Sequence, residues 1–268
     1  MEYGMIVLDL DGTLTNRNKE VTRRNYQALI EAQKRGKIVV LASGRPTPGV
    51  IPLAEYLKLG QYGGYILSFN GGVIMDCASK EVVFQKWLPK EINQTIIGLA
   101  EKERVDLLTY QDDFLITNHP DSPYVQLEAR VSHLNVHKPE DLTAYVDFPV
   151  PKFLMAEEGG YLALVEGRVK AALGGNFSIY RSDPFFLEIL PKGIDKAKCL
   201  EYLLNRISMK REQVIACGDG YNDRSMIQFA GLGVAMENAV LPLRKDADYI
   251  TASNEEDGVA LVVEKFLL

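Results

Sequence analysis

Two stretches far apart in the chain share one grammar. An apolar run, Met5 to Leu8, stops at Asp-Leu-Asp-Gly. A buried parallel strand looks like this where it enters a turn. Thr22 to Arg35 follows, with Tyr26, Leu29, Ile30 and Gln33 near helical spacing and Gly36 placed as a C-cap. Lys37 to Ala42 (KIVVLA) is a second apolar strand, ending at Ser43-Gly44-Arg45-Pro46. Strand, helix and strand within about 40 residues form a βαβ unit, which implies a parallel sheet with helices on its faces. The pattern returns later. Lys196 to Ile207 reads as a helix, Gln213 to Cys217 as a strand and Asp223 to Ala230 as a helix. Gly233 to Met236 and Asp248 to Thr251 read as short strands, and Gly258 to Leu268 as an apolar-rich helix.

The middle follows other rules. Gly72 to Trp87 predicts a hairpin with arms Val73–Met75 and Val82–Phe84. Pro89 opens a helix reaching about Lys102. Strand-like runs follow at Leu107–Tyr110, Phe114–Thr117, Lys152–Ala156, Phe177–Arg181 and Phe186–Leu190, with a helix over Gly160–Leu173. The expected fold class is therefore α/β, a Rossmann-like parallel-sheet core split by an inserted α+β domain. The boundaries read as 1–84 and 189–268 for the core and 85–188 for the insertion.

Composition narrows the function. The 268 residues suffice for one large or two modest domains. A formal net charge of −6 argues against a nucleic-acid partner, which calls for a basic face. It leaves room for a phosphorylated substrate, whose charge a metal ion and a few local cations can meet. The three cysteines, Cys77, Cys199 and Cys217, form no C-x-x-C pair and read as free thiols in a reducing compartment. The N-terminal apolar run is short and lacks a basic flank, so it does not read as a signal peptide. No apolar stretch approaches the roughly 18 residues that span a bilayer. The expectation is a cytoplasmic protein with no membrane partner, a monomer or weak homo-oligomer.

Four motifs sit where expected core strands end, or where a helix leads into one. In Asp9-Leu10-Asp11-Gly12-Thr13, two carboxylates two residues apart can share one space. One can attack phosphorus and the other can move the proton. In Ser43-Gly44-Arg45, a hydroxyl and adjacent N–H groups can hold phosphoryl oxygens. Lys196 starts a helix, where the macrodipole opposes a cation unless an anion lies near. By position alone Lys192, Lys196 and Lys198 compete for that role. Gly218-Asp219-Gly220-Tyr221-Asn222-Asp223 groups two carboxylates and an amide suited to a hard cation such as Mg²⁺. Each motif alone also reads as a common turn, cap or surface residue. No twelve-residue calcium loop and no G-x-G-x-x-G follows through.

Taken in order, Asp-x-Asp, Ser, Lys and Gly-Asp-Gly-x-x-Asp resemble the haloacid dehalogenase superfamily of phosphohydrolases. The run Gly233 to Ala239, then Ala247 to Thr251, then Glu256 to Val259, is similar to the Cof-type branch. That resemblance implies a large α/β cap in the insertion, closing over the site and choosing the leaving group. It implies Asp9 as nucleophile and metal ligand, Asp11 as general acid/base and, through its carbonyl, a metal ligand, and Asp219 as the third protein ligand of Mg²⁺. Leu10, Ser43, Gly44, Lys196 and Asn222 match the phosphate-binding positions. Arg45 and Asn70 match positions close to the substrate, and Thr13 and Asp223 supporting ones. One position departs, since the branch usually has Gly where Ala197 follows the motif lysine.

The implied activity is Mg²⁺-dependent hydrolysis of small phosphomonoesters, sugar phosphates foremost, through an aspartyl-phosphate. A phosphotransferase or mutase would need the same residues. A phosphometabolite-binding protein without catalysis would not need all of Asp9, Asp11, Lys196 and Asp219. His133 and His137 have zinc-pair spacing but no evident third ligand. Cys217 reads as a small buried residue, and Tyr110, Phe114 and Tyr124 as packing aromatics.

Overall fold

The structure is a computed structural model that describes residues 2–268. The strands are, in chain order, β1 (Met5–Leu8), β2 (Ile38–Ala42), β3 (Tyr65–Ser68), β4 (Val73–Asp76) and β5 (Val82–Gln85). They continue with β6 (Asp106–Gln111), β7 (Phe114–Thr117), β8 (Asn135–His137), β9 (Phe153–Ala156), β10 (Phe177–Asp183) and β11 (Phe186–Pro191). The last are β12 (Val214–Gly218), β13 (Leu232–Ala235) and β14 (Tyr249–Ile250). The chain divides into two compact units, Met1–Gln85 with Asp195–Leu268, and Lys86–Ile194.

In the first unit, eight strands among the described residues lie in the order β14-β13-β12-β1-β2-β3-β4-β5. All pairs from β14 to β3 are parallel, and β4 and β5 add an antiparallel edge. Every residue of β1 is fully buried, as a strand covered on both faces requires. Chain order runs outward in opposite directions from the neighbours β1 and β12. In such open sheets the crevice beyond the strand ends at this switch point is the usual ligand site.

Two helices show how the sequence pins this core. Thr22 caps Arg23–Lys34, its hydroxyl accepting from the Asn25 N–H at 3.2 Å, and Gly36 at φ +78° closes the other end. Asp195 caps Lys196–Arg206 by accepting from the Lys198 N–H at 3.0 Å. The buried face of that helix is Lys196, Cys199, Leu200, Leu203 and Leu204, a single helical stripe. A lysine heading an otherwise apolar stripe must be paired, because an isolated buried ammonium is far too costly.

In the second unit, six strands among the described residues lie in the order β10-β11-β9-β6-β7-β8. Its apolar core joins the helices Asn93–Glu103 and Gly159–Leu173 to one sheet face through Ile96, Ile97, Val165, Val169, Phe153, Leu187 and Ile189. The insertion expected from sequence ended at Glu188. Instead β11 stays paired with both β9 and β10 past that point, so the unit runs on to Ile194. At its other end Gln85 still pairs with Val73 and belongs to the first unit.

Shorter elements escaped the sequence reading: β3, β8, and the helices Thr47–Tyr56, Pro123–Ser132 and Leu241–Asp246. The strand expected over Asp248–Thr251 shrinks to the two residues of β14. No helix of the described residues is long and apolar enough to cross a membrane.

Candidate active site

Every residue of the four motifs lies in the first unit, at or just beyond the carboxyl ends of β1, β2 and β12 or at the head of the helix Lys196–Arg206. Asp9 directly follows β1 and is buried; its N–H donates to the Cys217 carbonyl at 3.1 Å, continuing the β1–β12 ladder. The Lys196 ammonium donates to Asp9 Oδ1 at 2.6 Å, to Asp223 Oδ1 at 2.5 Å and to the Ala42 carbonyl at 2.9 Å. All three of its protons are spent, which pays for the burial of the charge. Of the three competing lysines, Lys196 is buried, whereas Lys192 and Lys198 are exposed.

Asp223 has both oxygens engaged. Oδ1 takes Lys196, and Oδ2 accepts from the N–H groups of Asp219 and Gly220, each at 2.9 Å. That contact folds the Gly218–Asp223 loop back on itself and fixes Asp219. Gly218 permits it, because a Cβ there would lie 2.5 Å from the Asp223 Cβ. Asp219 is also steadied from the loop after β1, since Thr13 Oγ1 donates to its Oδ1 at 2.8 Å. Gly12, at φ +87°, leaves the space that Asp219 Oδ2 uses; a Cβ would come within 2.3 Å of that oxygen.

Asp9, Asp219 and Asp223 each offer a carboxylate oxygen, all within 4.8 Å of one another. Asp223 already accepts three hydrogen bonds, whereas the Asp9 and Asp219 carboxylates accept one each, so Asp9 and Asp219 have the most capacity to spare. Burial, with Asp223 beside it, holds the Asp9 carboxyl well above the usual carboxylate range, against the pull of Lys196. Burial likewise pushes Asp219 up to about 6, although the Thr13 bond opposes it. Burial alone would lower Lys196; Asp223 and Asp9 outweigh it and hold the ammonium above the ordinary lysine value. A cluster whose acids resist ionisation in this way is electrostatically suited to a divalent cation, and hard oxygen donors suit Mg²⁺.

Asp11 points elsewhere. Its Oδ2 accepts from Arg45 Nε at 2.8 Å, and its Oδ1 accepts from Arg45 Nη2 and Lys19 Nζ, each at 2.6 Å. Burial alone would raise this carboxyl, but Arg45 and Lys19 together bring it below the usual range. Arg45 therefore engages Asp11, while its N–H donates to Ser43 Oγ at 3.1 Å. Ser43 is buried at the end of β2. The Leu10 side chain is fully buried, so only its main chain is available to a ligand.

Asn222 Nδ2 donates to Asn70 Oδ1 at 3.1 Å, tying the last motif to the segment after β3. That segment is conformationally unusual, with Phe69, Asn70 and Gly71 at φ +52°, +55° and +98°. Side chains at positive φ are costly, and such strain concentrates at functional sites. Gly44 allows the approach, for its Cβ would meet the Asn70 amide at 3.2 Å.

Two residues escaped the sequence reading. Lys19 carries no motif signal. Asn238 lies in the Gly233–Ala239 run and donates from Nδ2 to the Gly12 carbonyl at 2.8 Å. The histidine pair does not form a site: His133 ends a helix at φ +54°, and His137 sits in β8 against Phe114 and Tyr145. Tyr110 is buried with its hydroxyl donating to Glu128 at 2.9 Å, and Tyr124 stacks on Phe185 with centroids 5.6 Å apart.

Known proteins share this architecture. The family model for haloacid dehalogenase-like hydrolases matches residues 6–263. A haloacid dehalogenase-like hydrolase from Bacteroides thetaiotaomicron is 47% identical, with a TM-score of 0.95 over 98% of this chain and 99% of that one. The 5-amino-6-(5-phospho-D-ribitylamino)uracil phosphatase YcsE of Bacillus subtilis is 30% identical over 274 residues, covering 100% of this chain and 97% of the relative. The subclass IIB sugar phosphatase BT4131 is 24% identical, with a TM-score of 0.84 over 98% of this chain and 99% of that one, a likeness of fold. With its carboxylates, lysine and glycine turns gathered at the switch point of a parallel sheet, the chain belongs to the haloacid dehalogenase-like hydrolases and is a phosphatase of that family.

Proposed function

We propose that the chain is a Mg²⁺-dependent phosphatase of small phosphomonoesters, sugar and polyol phosphates foremost, that works through an aspartyl-phosphate on Asp9. The observation that carries this reading is the asymmetric hold on Asp9. Lys196 binds Oδ1, and no hydrogen bond from the described residues engages Oδ2. A buried carboxylate with one oxygen anchored and one unengaged is placed as a nucleophile. Asp9 and Asp219, with the Asp11 carbonyl, would hold Mg²⁺, which supplies charge neutralisation for carboxylates and phosphoryl oxygens alike.

In this account Asp9 Oδ2 attacks phosphorus as the ester P–O bond breaks. Asp11 gives its proton to the departing alkoxide, and the alcohol leaves. Asp11 then takes a proton from water as the water oxygen attacks the same phosphorus. The bond to Asp9 breaks, and inorganic phosphate leaves with the Asp9 carboxylate restored. Free Asp11 is held as a carboxylate by Arg45 and Lys19. A dianionic ester arriving beside it raises its affinity for the proton that the first step needs. Uncatalysed monoester hydrolysis is slow enough to demand up to about 10²¹-fold acceleration, and dividing it into two displacements helps supply that.

The substrate class draws on relatives. YcsE is named for a ribityl phosphate, and a 28% identical relative from Methanobrevibacter smithii is a phosphoglycolate phosphatase. Both names denote small phosphomonoesters. Since every proposed catalytic group lies in the first unit, the second is the proposed cap and source of selectivity. A phosphate-release screen over sugar phosphates, polyol phosphates and nucleotides tests the reading. Activity should require Mg²⁺, vanish on chelation and return on its addition. Isomerised ester in place of free phosphate would make the enzyme a mutase instead.

A further inference from the structure

We propose that Lys19 is a positioning residue for Asp11, selecting which carboxylate oxygen exchanges the proton. The inference rests on the reading of Asp11 as the acid/base and extends it to a residue outside the four motifs.

A carboxylate offers about four lone pairs, two on each oxygen. The Arg45 fork takes one on each, Nε on Oδ2 at 2.8 Å and Nη2 on Oδ1 at 2.6 Å. With Arg45 alone the two oxygens would remain equivalent, each with one open site. Lys19 Nζ takes the second site on Oδ1 at 2.6 Å. Oδ1 is then full, and Oδ2 keeps the one acceptor site left open by the described residues. Lys19 therefore turns a symmetric fork into a directed group.

The chain under Lys19 is built to hold it. Lys19 sits at φ +62°, a conformation lysine rarely adopts. Its N–H donates to the Asn16 carbonyl at 2.9 Å. The Asn16 side-chain oxygen accepts from the N–H groups of Asn18 at 2.9 Å and Glu20 at 3.0 Å, while the Asn16 N–H donates to the Glu20 carbonyl at 3.0 Å. The loop is further tied by the Arg17 N–H donating to Glu255 at 2.7 Å. The Lys19 side chain is more than half exposed, and exposed ion pairs contribute little to folding. Its distinction is the partner: an oxygen already held by the nearly buried Arg45 side chain.

The test compares K19M, K19R, D11N and the K19M/D11N double variant on p-nitrophenyl phosphate and phenyl phosphate, whose leaving groups differ in their need for a proton. The readouts are kcat/KM for each ester and inhibition by inorganic phosphate. K19M should lose about tenfold more kcat/KM on phenyl phosphate than on p-nitrophenyl phosphate. K19R should recover most of that loss, and phosphate inhibition should stay within about twofold. On the D11N background K19M should cost less than about twofold, because the group it positions is gone. Equal losses on both esters, additive with D11N, would mean that Lys19 serves the loop and would overturn the inference. Weakened phosphate inhibition would make Lys19 a ligand-binding group and overturn it too, as would an unchanged K19M enzyme. If D11N itself shows no dependence on the leaving group, the acid/base reading fails, and this inference falls with it. A leaving-group effect in D11N but none in K19M refutes the role of Lys19 alone.

Discussion

Lys196 Nζ and Asp223 Oδ1 stand 2.5 Å apart, and each side chain is only 1% exposed. The pair lies under the nucleophile and braces the motif loop. Removing Asp223 leaves the buried Lys196 ammonium with Asp9 as its one carboxylate and frees the Asp219 and Gly220 N–H groups, and breaking a buried, hydrogen-bonded pair costs about 3–5 kcal/mol. Asp223→Ala should therefore destabilise the protein by about that much, read from urea unfolding midpoints at unchanged slope. A loss below about 1 kcal/mol, the scale of an exposed pair, would show that Lys196 is satisfied without it.

Asp219 sets an acid limit on metal binding. Its folded carboxyl lies at about 6, above the ordinary carboxylate value of 3.8, so the metal-free fold binds this proton more tightly than the unfolded chain does. The sign follows: this group favours the metal-free fold at low pH, and that contribution is lost as pH rises through about 6. A cation must displace the same proton. Mg²⁺ affinity by calorimetry should fall as pH drops through about 6, where Asp219 takes up its proton, and the raised Asp9 carboxyl adds to that fall. Affinity independent of pH across that range would show that Asp219 does not take part. Asp11 has the opposite sign. Its lowered value contributes stability above the unfolded carboxylate range and loses it as pH falls through the folded value.

The thiols should be inert in the native state. Burial, reinforced by Asp76, pushes Cys77 up to about 12, and burial raises Cys199 and Cys217 further. The thiolate is the reactive form. A thiol reagent near neutral pH should label none of the three cysteines quickly in native protein and all three after unfolding. Rapid native labelling of Cys77 would contradict its environment as described.

Much of this arrangement is legible in the chain itself. Apolar runs ending at Asp9, Ser43 and Gly218 locate β1, β2 and β12, because strands buried on both faces cannot be disguised. The hairpin Val73–Phe84 is legible as a hairpin, but its place as the antiparallel edge of the core sheet is a tertiary fact. The strand β3 and the helix Thr47–Tyr56 are short, and the helix carries Pro52, so neither gives a long periodic signal. The choice of Lys196 over its neighbours is settled by the Asp195 cap, which sets the phase of the helix and turns that one lysine inward. The engagement of Asp11 by Arg45 and Lys19 has no sequence signature. It depends on a loop whose turn at Asn16 brings Lys19 back onto β1's end.

The central claim is that Asp9 takes the phosphoryl group. The direct measurement is acid-quenched peptide mapping of enzyme caught during turnover with Mg²⁺, alongside the Asp9→Asn variant. The amide keeps the shape but is no nucleophile. The account predicts one phosphoryl group on Asp9 in the parent, none in a correctly folded Asp9→Asn protein, and no turnover by that variant. Turnover by Asp9→Asn within about tenfold of the parent would contradict it.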